Sequence, residues 1–270
     1  MLLTSVIIVI REVLEAALLV SILMSLCFKL DIARTWFKWG VLGGVVGSIG
    51  LGSQLGFISN LFGGIGQEIV DAGLQIFIYI CLLYICVEFI NHYYQRQALS
   101  GTLRFVLVII IVCAMSREGS EIYIYLSAFQ SLPHASVSLY SGSIIGLGIG
   151  LSCCALFYYF LLSFSLVRTL SLGCALLTVV ASGMLLQAGK MLIQADILPD
   201  GQLWDSSALL SEESLSGQLL YALAGYEATP APAQLVLYLF GAACMALVML
   251  LRYWHWQGRK ASTRASDDEK

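Results

Sequence analysis

LLTSVIIVIREVLEAALLVSILMSLCF, residues 2–28, is apolar or small-hydroxyl throughout except at Arg11, Glu12 and Glu15. The run is longer than the roughly 20 residues that carry a helix across a bilayer. Ionisable groups near the middle of such a helix are costly, and they mark an ion path or an internal ion-pair network. Further along, the pattern returns as Arg117-Glu118-Gly119-Ser120-Glu121, near the centre of a second apolar run, 103–129. Two R-E-x-x-E motifs, each inside its own span, read as two halves of one site.

The 270 residues are 59% hydrophobic and 11% charged, with a mean hydropathy of +0.87. Soluble domains carry about 25% charged residues, so the class is an all-α polytopic membrane protein. No long polar block forms a separate domain: 1–252 reads as one transmembrane domain and 253–270 as a tail. The eight cysteines all lie in apolar runs, as packing residues, in neither a disulfide framework nor a zinc spacing. The first segment has no basic leader region and a charged centre, so it is expected to be retained rather than cleaved. Nothing points to nucleic acid as a partner.

The spans are expected at about 2–28, 37–59, 68–89, 103–129, 138–163, 170–193 and 232–251. The second is rich in glycine (Gly40, Gly43, Gly44, Gly47, Gly50, Gly52 and Gly56), whose small-x-x-x-small faces let helices approach closely. Lys29, Arg34 and Lys38, then Arg96 and Arg104, then Arg168, then Arg252, Arg259, Lys260 and Arg264 follow alternate spans. Basic residues favour the cytoplasmic side. Seven helices with a periplasmic N-terminus and a cytoplasmic C-terminus satisfy that rule. Three spans per half make the second half an inverted repeat of the first, 3+3 plus a C-terminal helix, with equivalent helices meeting at the midplane. The connection 196–231 is acidic and extracytoplasmic, holding Asp196, Asp200, Asp205, Glu212, Glu213 and Glu227 without lysine or arginine. Within it, 203–223 is expected to form a short helix on the membrane surface.

Glu12 and Glu15 are three apart, as are Glu118 and Glu121, so each pair shares a helix face. Arg11–Glu15 and Arg117–Glu121 are four apart, so each arginine can pair with the second acid of its motif. Carboxylates gathered in a low-dielectric cavity suit a hard or borderline cation such as iron, manganese, magnesium or calcium. The absence of a histidine or methionine cluster argues against copper. The arginines either weaken the site enough for release or take over the acids when the ion leaves. Competing readings are a proton-coupled carrier, a membrane-embedded iron enzyme, which would lack nearby histidine ligands, and a structural subunit locked by buried ion pairs. Matched motifs at matched depth weigh against the last, because buried pairs add little net stability.

Glu68 and Asp71, three apart at the outer end of the third span, suggest an uptake or secondary metal site, or acids favoured by a helix N-terminus. Glu88 lies near the inner end of that span, and Lys190 near the outer end of the sixth is expected to snorkel to water rather than pair with Glu68 or Asp71. Tyr123, Tyr125, Trp36, Trp39, Trp254 and Trp256 read as interface anchors or packing, with Tyr123 and Tyr125 close enough to the second motif to be secondary ligand candidates. His92, His134 and His255 are isolated and read as loop or interface residues.

The two R-E-x-x-E motifs, Arg11 to Glu15 and Arg117 to Glu121, resemble those of the oxidase-dependent iron transporter family of high-affinity iron permeases, over about residues 1–252. The size and layout are similar to its bacterial branch, the inner-membrane permeases of ferrous iron uptake. The resemblance implies that Glu12, Glu15, Glu118 and Glu121 carry iron with Arg11 and Arg117 in support, and that Glu68 and Asp71 match an acidic pair opening the third helix. Asp71 is shorter than the glutamate common there. It also implies a transporter without a prosthetic group, moving Fe²⁺ or Fe³⁺ and served by periplasmic redox or iron-delivery proteins. Another divalent cation such as manganese remains the alternative cargo, and assembly into a homo-oligomer is left open.

Overall fold

The computed structural model describes residues 2–95, 101–129, 136–212 and 214–268. Arg96, the Pro133-His134 turn and Glu213 lie outside the described residues, as do the side chains of His255, Trp256, Arg259, Lys260 and Arg264. The elements are α1 (Leu2–Lys29), α2 (Thr35–Ser53), α3 (Leu55–Ser59), a 3-10 turn (Leu61–Gly63), α4 (Gly66–Gln95), α5 (Gly101–Phe129), α6 (Ser136–Leu162), α7 (Leu166–Gln194), α8 (Leu215–Ala224) and α9 (Pro232–Asp268). Among the described residues, α4, α6, α7 and α9 each contain a stretch long and apolar enough to cross a membrane. Helices α1 and α5 have comparable length but carry the charged motifs. The chain is an all-α, multi-pass membrane protein.

Helix ends follow local chemistry. Asp31 and Asp196 take left-handed φ of 58° and 55° after α1 and α7. There Ile32 and Ile197 donate back to the Cys27 and Leu192 carbonyls at 2.8 and 2.9 Å, which satisfies groups a helix end would otherwise leave orphaned. The span expected at 37–59 is interrupted: α2 stops at Ser53, and the chain reverses through Phe62, Gly63 and Gly64, all at positive φ. Helix α9 continues past the expected end at 251 to Asp268, because no proline or turn cluster follows Arg252 to stop it. The helix expected on the surface at 203–223 is shorter and buries Gly217, Gln218, Tyr221 and Ala222.

Two helix pairs dominate the packing: α1 lies along α6, and α2 along α5. Both depend on glycine for close approach. A Cβ at Gly142 would sit 2.7 Å from the Leu2 carbonyl oxygen, and one at Gly146 would sit 2.8 Å from that of Val6. On the other pair, a Cβ at Gly40 would lie 2.9 Å from Ile111 Cβ, and one at Gly44 would lie 2.6 Å from Met115 Cβ. The pairs match in register: Gly40, Gly44 and Ser48 of α2 face Ile111, Met115 and Gly119, while Gly142, Gly146 and Gly150 of α6 face Ser5, Val9 and Val13.

The main core fills one end of the bundle. Leu19, Ile22 and Leu23 of α1, Leu82 and Ile85 of α4, and Leu107 and Ile110 of α5 are fully buried there. The charged motifs sit next to this apolar block, on the turns of α1 before it and of α5 after it.

Candidate functional site: a buried carboxylate cluster

Helix α1 holds Glu12 and Glu15 among its buried residues, and α5 brings Arg117 and Glu118 against them. Ligand oxygens of Glu12, Glu15 and Glu118 all lie within 4.8 Å of one another. The three are 3%, 8% and 4% exposed, so they sit in protein rather than at a wetted surface. The contact that makes room for this is between α5 and α2: Gly119 has no side chain, and a Cβ there would collide with Ser48.

Both intramotif pairs expected from the spacing form. Arg11 Nε lies 3.6 Å from Glu15 Oε1, and Arg117 Nη2 lies 3.4 Å from Glu121 Oε1. The two motifs are also cross-linked, because Arg117 Nη1 reaches Glu15 Oε2 at 3.5 Å and pairs with Glu118. Arg11 Nε is 3.8 Å from Glu12, and its guanidinium lies 4.3 Å over the Tyr221 ring. The arginines therefore differ: Arg117 is buried among three carboxylates, whereas the Arg11 side chain is 39% exposed and leans on α8.

Four glutamates stand against two arginines in the two motifs, a formal −2 when every group is counted as ionised. Glu12 Oε2 and Glu118 Oε2 are buried with no hydrogen-bond donor among the described residues, and buried Glu15 Oε1 has the 3.6 Å ion pair with Arg11 but no hydrogen bond. Buried carboxylate oxygens without a donor are costly, and a cation is the group that would satisfy all three together. A cavity of about 510 Å³ flanks the cluster between α1, α2, α5 and α6, with apolar walls and with Glu12 and Glu118 in its lining.

Glu121 belongs elsewhere. Its side chain is 33% exposed, and it lines a cavity of about 390 Å³ with Glu68 and Asp71 of α4, Tyr125 of α5, and Met191 and Gln194 of α7. Thus the six candidate acids divide into a buried triad and an outer trio, with Arg117 touching members of both. Tyr125 lines the outer cavity and its hydroxyl is 3.0 Å from Ser5 Oγ, whereas Tyr123 packs on Gly52 and faces the apolar cavity.

Sequence reading missed three contributors. Gln187 of α7 donates to Glu15 Oε2 at 3.1 Å, and Gln75 of α4 donates to Gln187 Oε1 at 2.9 Å. Both were visible as uncharged polar residues deep in apolar runs, and Gln75 shares the α4 face of Glu68 and Asp71. Tyr221 carried no such signal.

Lys190 neither snorkels freely nor pairs with α4: its Nζ is 2.5 Å from Glu227, which also accepts from Gln234. Other acids of the connection have local partners too. Glu212 accepts from Ala228 N–H at 2.6 Å, and Asp200 from Gly201 N–H at 2.7 Å. Asp205 accepts from the Ser207 hydroxyl and N–H, which hold its carboxyl below the ordinary aspartate range. Trp36 is buried in the core, Trp39 and Trp254 are exposed, and His92 contacts the Leu30 carbonyl. Glu88 is half-buried near the far end of α4 from Glu68.

A sequence profile described as the iron permease FTR1 family matches residues 2–253. No curated protein and no solved structure matches the chain.

Proposed function

Since the chain belongs to the iron permease FTR1 family, a family of transporters rather than enzymes, we propose that it carries iron inward through the two R-E-x-x-E motifs at the bilayer midplane. The observation that carries this reading is the buried triad of Glu12, Glu15 and Glu118, its ligand atoms within 4.8 Å of one another. Fe²⁺ and Fe³⁺ both suit carboxylate oxygens.

In this reading the ion is captured by Glu68, Asp71 and Glu121 in the outer cavity, sheds water, and moves to the triad. Arg117 acts as a tethered cation. Its guanidinium neutralises the acids before the ion arrives and is displaced, toward Glu121, as the ion takes Glu15 and Glu118. Release toward the cytoplasm requires the apolar block of Leu19, Ile22, Leu82 and Leu107 to part, since these side chains are fully buried.

The matched registers of α2 on α5 and α6 on α1 support an inverted 3+3 repeat plus α9, making seven spans if α1, α2 and α5 also cross. We assign an inner-membrane location with a periplasmic N-terminus and cytoplasmic C-terminus, on the alternation of basic connections. Periplasmic redox or iron-delivery proteins are the proposed suppliers of the ion.

The structural-lock reading has one observation in its favour, the burial of Arg117 among Glu15, Glu118 and Glu121. A lock, however, needs no surplus of carboxyl groups, and here four glutamates stand against two arginines. Uptake of radiolabelled iron in both oxidation states into proteoliposomes tests the proposal against Glu12→Gln/Glu118→Gln protein. Parent uptake that the paired substitution abolishes supports it. Equal uptake by both overturns the site, and competition by manganese at equal concentration identifies the alternative cargo.

A further inference from the structure

The outer cavity and the buried triad are separate, and the residues between them can be read from helix geometry. Three helices line the outer cavity, at Asp71 on α4, Glu121 on α5 and Met191 on α7. Four residues further into the bundle, about 6 Å along each axis, lie Gln75, Arg117 and Gln187 respectively. All three are buried, at 0%, 4% and 4% exposure, and Arg117 and Gln187 both contact Glu15. Two amides and one guanidinium therefore lie in the layer between the outer cavity and the triad.

The orientation of the amides is fixed at one end. Gln187 turns its Nε2 to Glu15 Oε2 and presents Oε1, which receives Nε2 of Gln75. Reversing either amide would set oxygen against oxygen. The chain consequently ends with Gln75 Oε1, buried and with no donor among the described residues. An acceptor left so in the protein interior is costly. Here it lies four residues after Asp71 on a helix whose Glu68, Asp71 and Gln75 share a face.

Resting on the iron-transport reading above, we propose that the Gln75–Gln187 amide pair is the threshold of the pathway, with Gln75 Oε1 a transient ligand of the cation between Asp71/Glu121 and Glu15. A neutral oxygen suits that position. Another carboxylate there would deepen an already negative well, and conduction requires an ion bound well enough to enter but weakly enough to leave. An amide oxygen is also a hard donor, which favours iron or manganese over softer ions. The hydrogen bond from Gln187 keeps Glu15 oriented while the ion crosses, making Gln187 a positioning residue.

The test uses the full chain in proteoliposomes for uptake and in detergent for equilibrium binding of Mn²⁺ and Fe²⁺ under anaerobic conditions. Gln75→Leu should leave binding within about twofold, because the acids remain, and lower maximal uptake by about tenfold or more, the loss expected for one contact to a charged partner. Gln75→Glu should do the opposite to binding, tightening it about tenfold while slowing turnover, since an added charge deepens the well. If Gln75→Leu does not fold, the Gln75→Glu protein decides the matter alone. Unchanged binding and turnover in Gln75→Glu, or full uptake in Gln75→Leu, overturns the threshold. Uptake undiminished by Glu12→Gln/Glu118→Gln overturns instead the triad as the transport site on which the threshold rests, and no uptake by the parent overturns the transport reading itself.

Discussion

Replacing Arg117 by methionine removes a cation that touches both groups of acids while keeping most of the side-chain volume. Arg117 lies 3.5 Å from Glu15 and 3.4 Å from Glu121, and it pairs with Glu118. At an effective dielectric of about 20, a contact near 4 Å is worth about 4 kcal/mol before desolvation. Breaking a buried pair from one side has a net cost of about 3–5 kcal/mol. The formal charge of the four motif glutamates and Arg11 alone would then be −3. Metal-free Arg117→Met protein should therefore melt lower than the parent. A divalent cation should restore it more than it raises the parent, because the ion replaces the lost guanidinium. A ligand at about 100 times its Kd contributes about 2.7 kcal/mol through linkage, enough to recover most of the loss. Thermal melting in detergent with and without Mn²⁺ reads both quantities, and uptake should fall because the ion has no internal competitor to help it leave. Metal-free melting equal to the parent's, with an equal metal-induced rise, would refute the view of Arg117 as a stand-in for the ion.

Gly146→Ala should destabilise the α1–α6 pair by about 1–3 kcal/mol, the usual cost of overpacking, because its Cβ would lie 2.8 Å from the Val6 carbonyl oxygen. Gly148→Ala, with nothing within 4 Å of a new Cβ, should melt like the parent. Tyr221→Leu removes the ring face under Arg11, a contact worth about 0.5–2 kcal/mol, and should alter iron uptake, whereas Tyr221→Phe keeps the face and should not. Glu68→Gln/Asp71→Asn should raise the KM for iron with little change in maximal rate, as expected where capture rather than passage is impaired. Lys190→Met should expose the 196–231 connection to hydrogen exchange, since among the described residues Glu227 would keep only Gln234 as its side-chain partner.

The charged motifs were legible because charge inside an apolar span has few structural explanations, and i,i+4 spacing alone foretold the pairs Arg11–Glu15 and Arg117–Glu121. The division of the acids was not legible. Glu118 and Glu121 are only three apart, and which of them faces α1 depends on the rotation of α5, set by Gly119 against Ser48 and Gly44 against Met115. Gln75 and Gln187 carry no charge, so nothing in their spacing alone singles them out from other polar residues of the spans. The α6 stripe of Gly142, Gly146 and Gly150 was written as plainly as that of α2, but its meaning needs the α1 partner to which it is matched. Lys190 could not be assigned because Glu227 lies beyond an irregular connection whose path no periodicity encodes. For the same reason Tyr221 was invisible: α8 reads as a surface helix until it is seen packed against α1 and α7.

The two ends of the proposed pathway are built from different materials, and this bears on how it works. At the outer end Glu68, Asp71 and Glu121 line an open cavity. At the other, the cluster abuts Leu19, Ile22, Leu82, Leu107 and Ile110, each fully buried. An ion at the triad thus meets a polar floor it can trade ligands with on one side and closely packed hydrocarbon on the other. Under the proposed inverted repeat, exchanging the roles of α1 and α5 would open the second side while closing the first. The asymmetry of the arginines follows the same logic, because Arg117 fills the cluster while Arg11 is drawn off by Tyr221. Under that proposal a state open to the cytoplasm would have Arg11 leave the Tyr221 ring and turn fully onto Glu12 and Glu15, which it already touches, as Arg117 withdraws. Such an exchange would couple occupancy of the acids to the position of α8, the element through which the long connection touches the site.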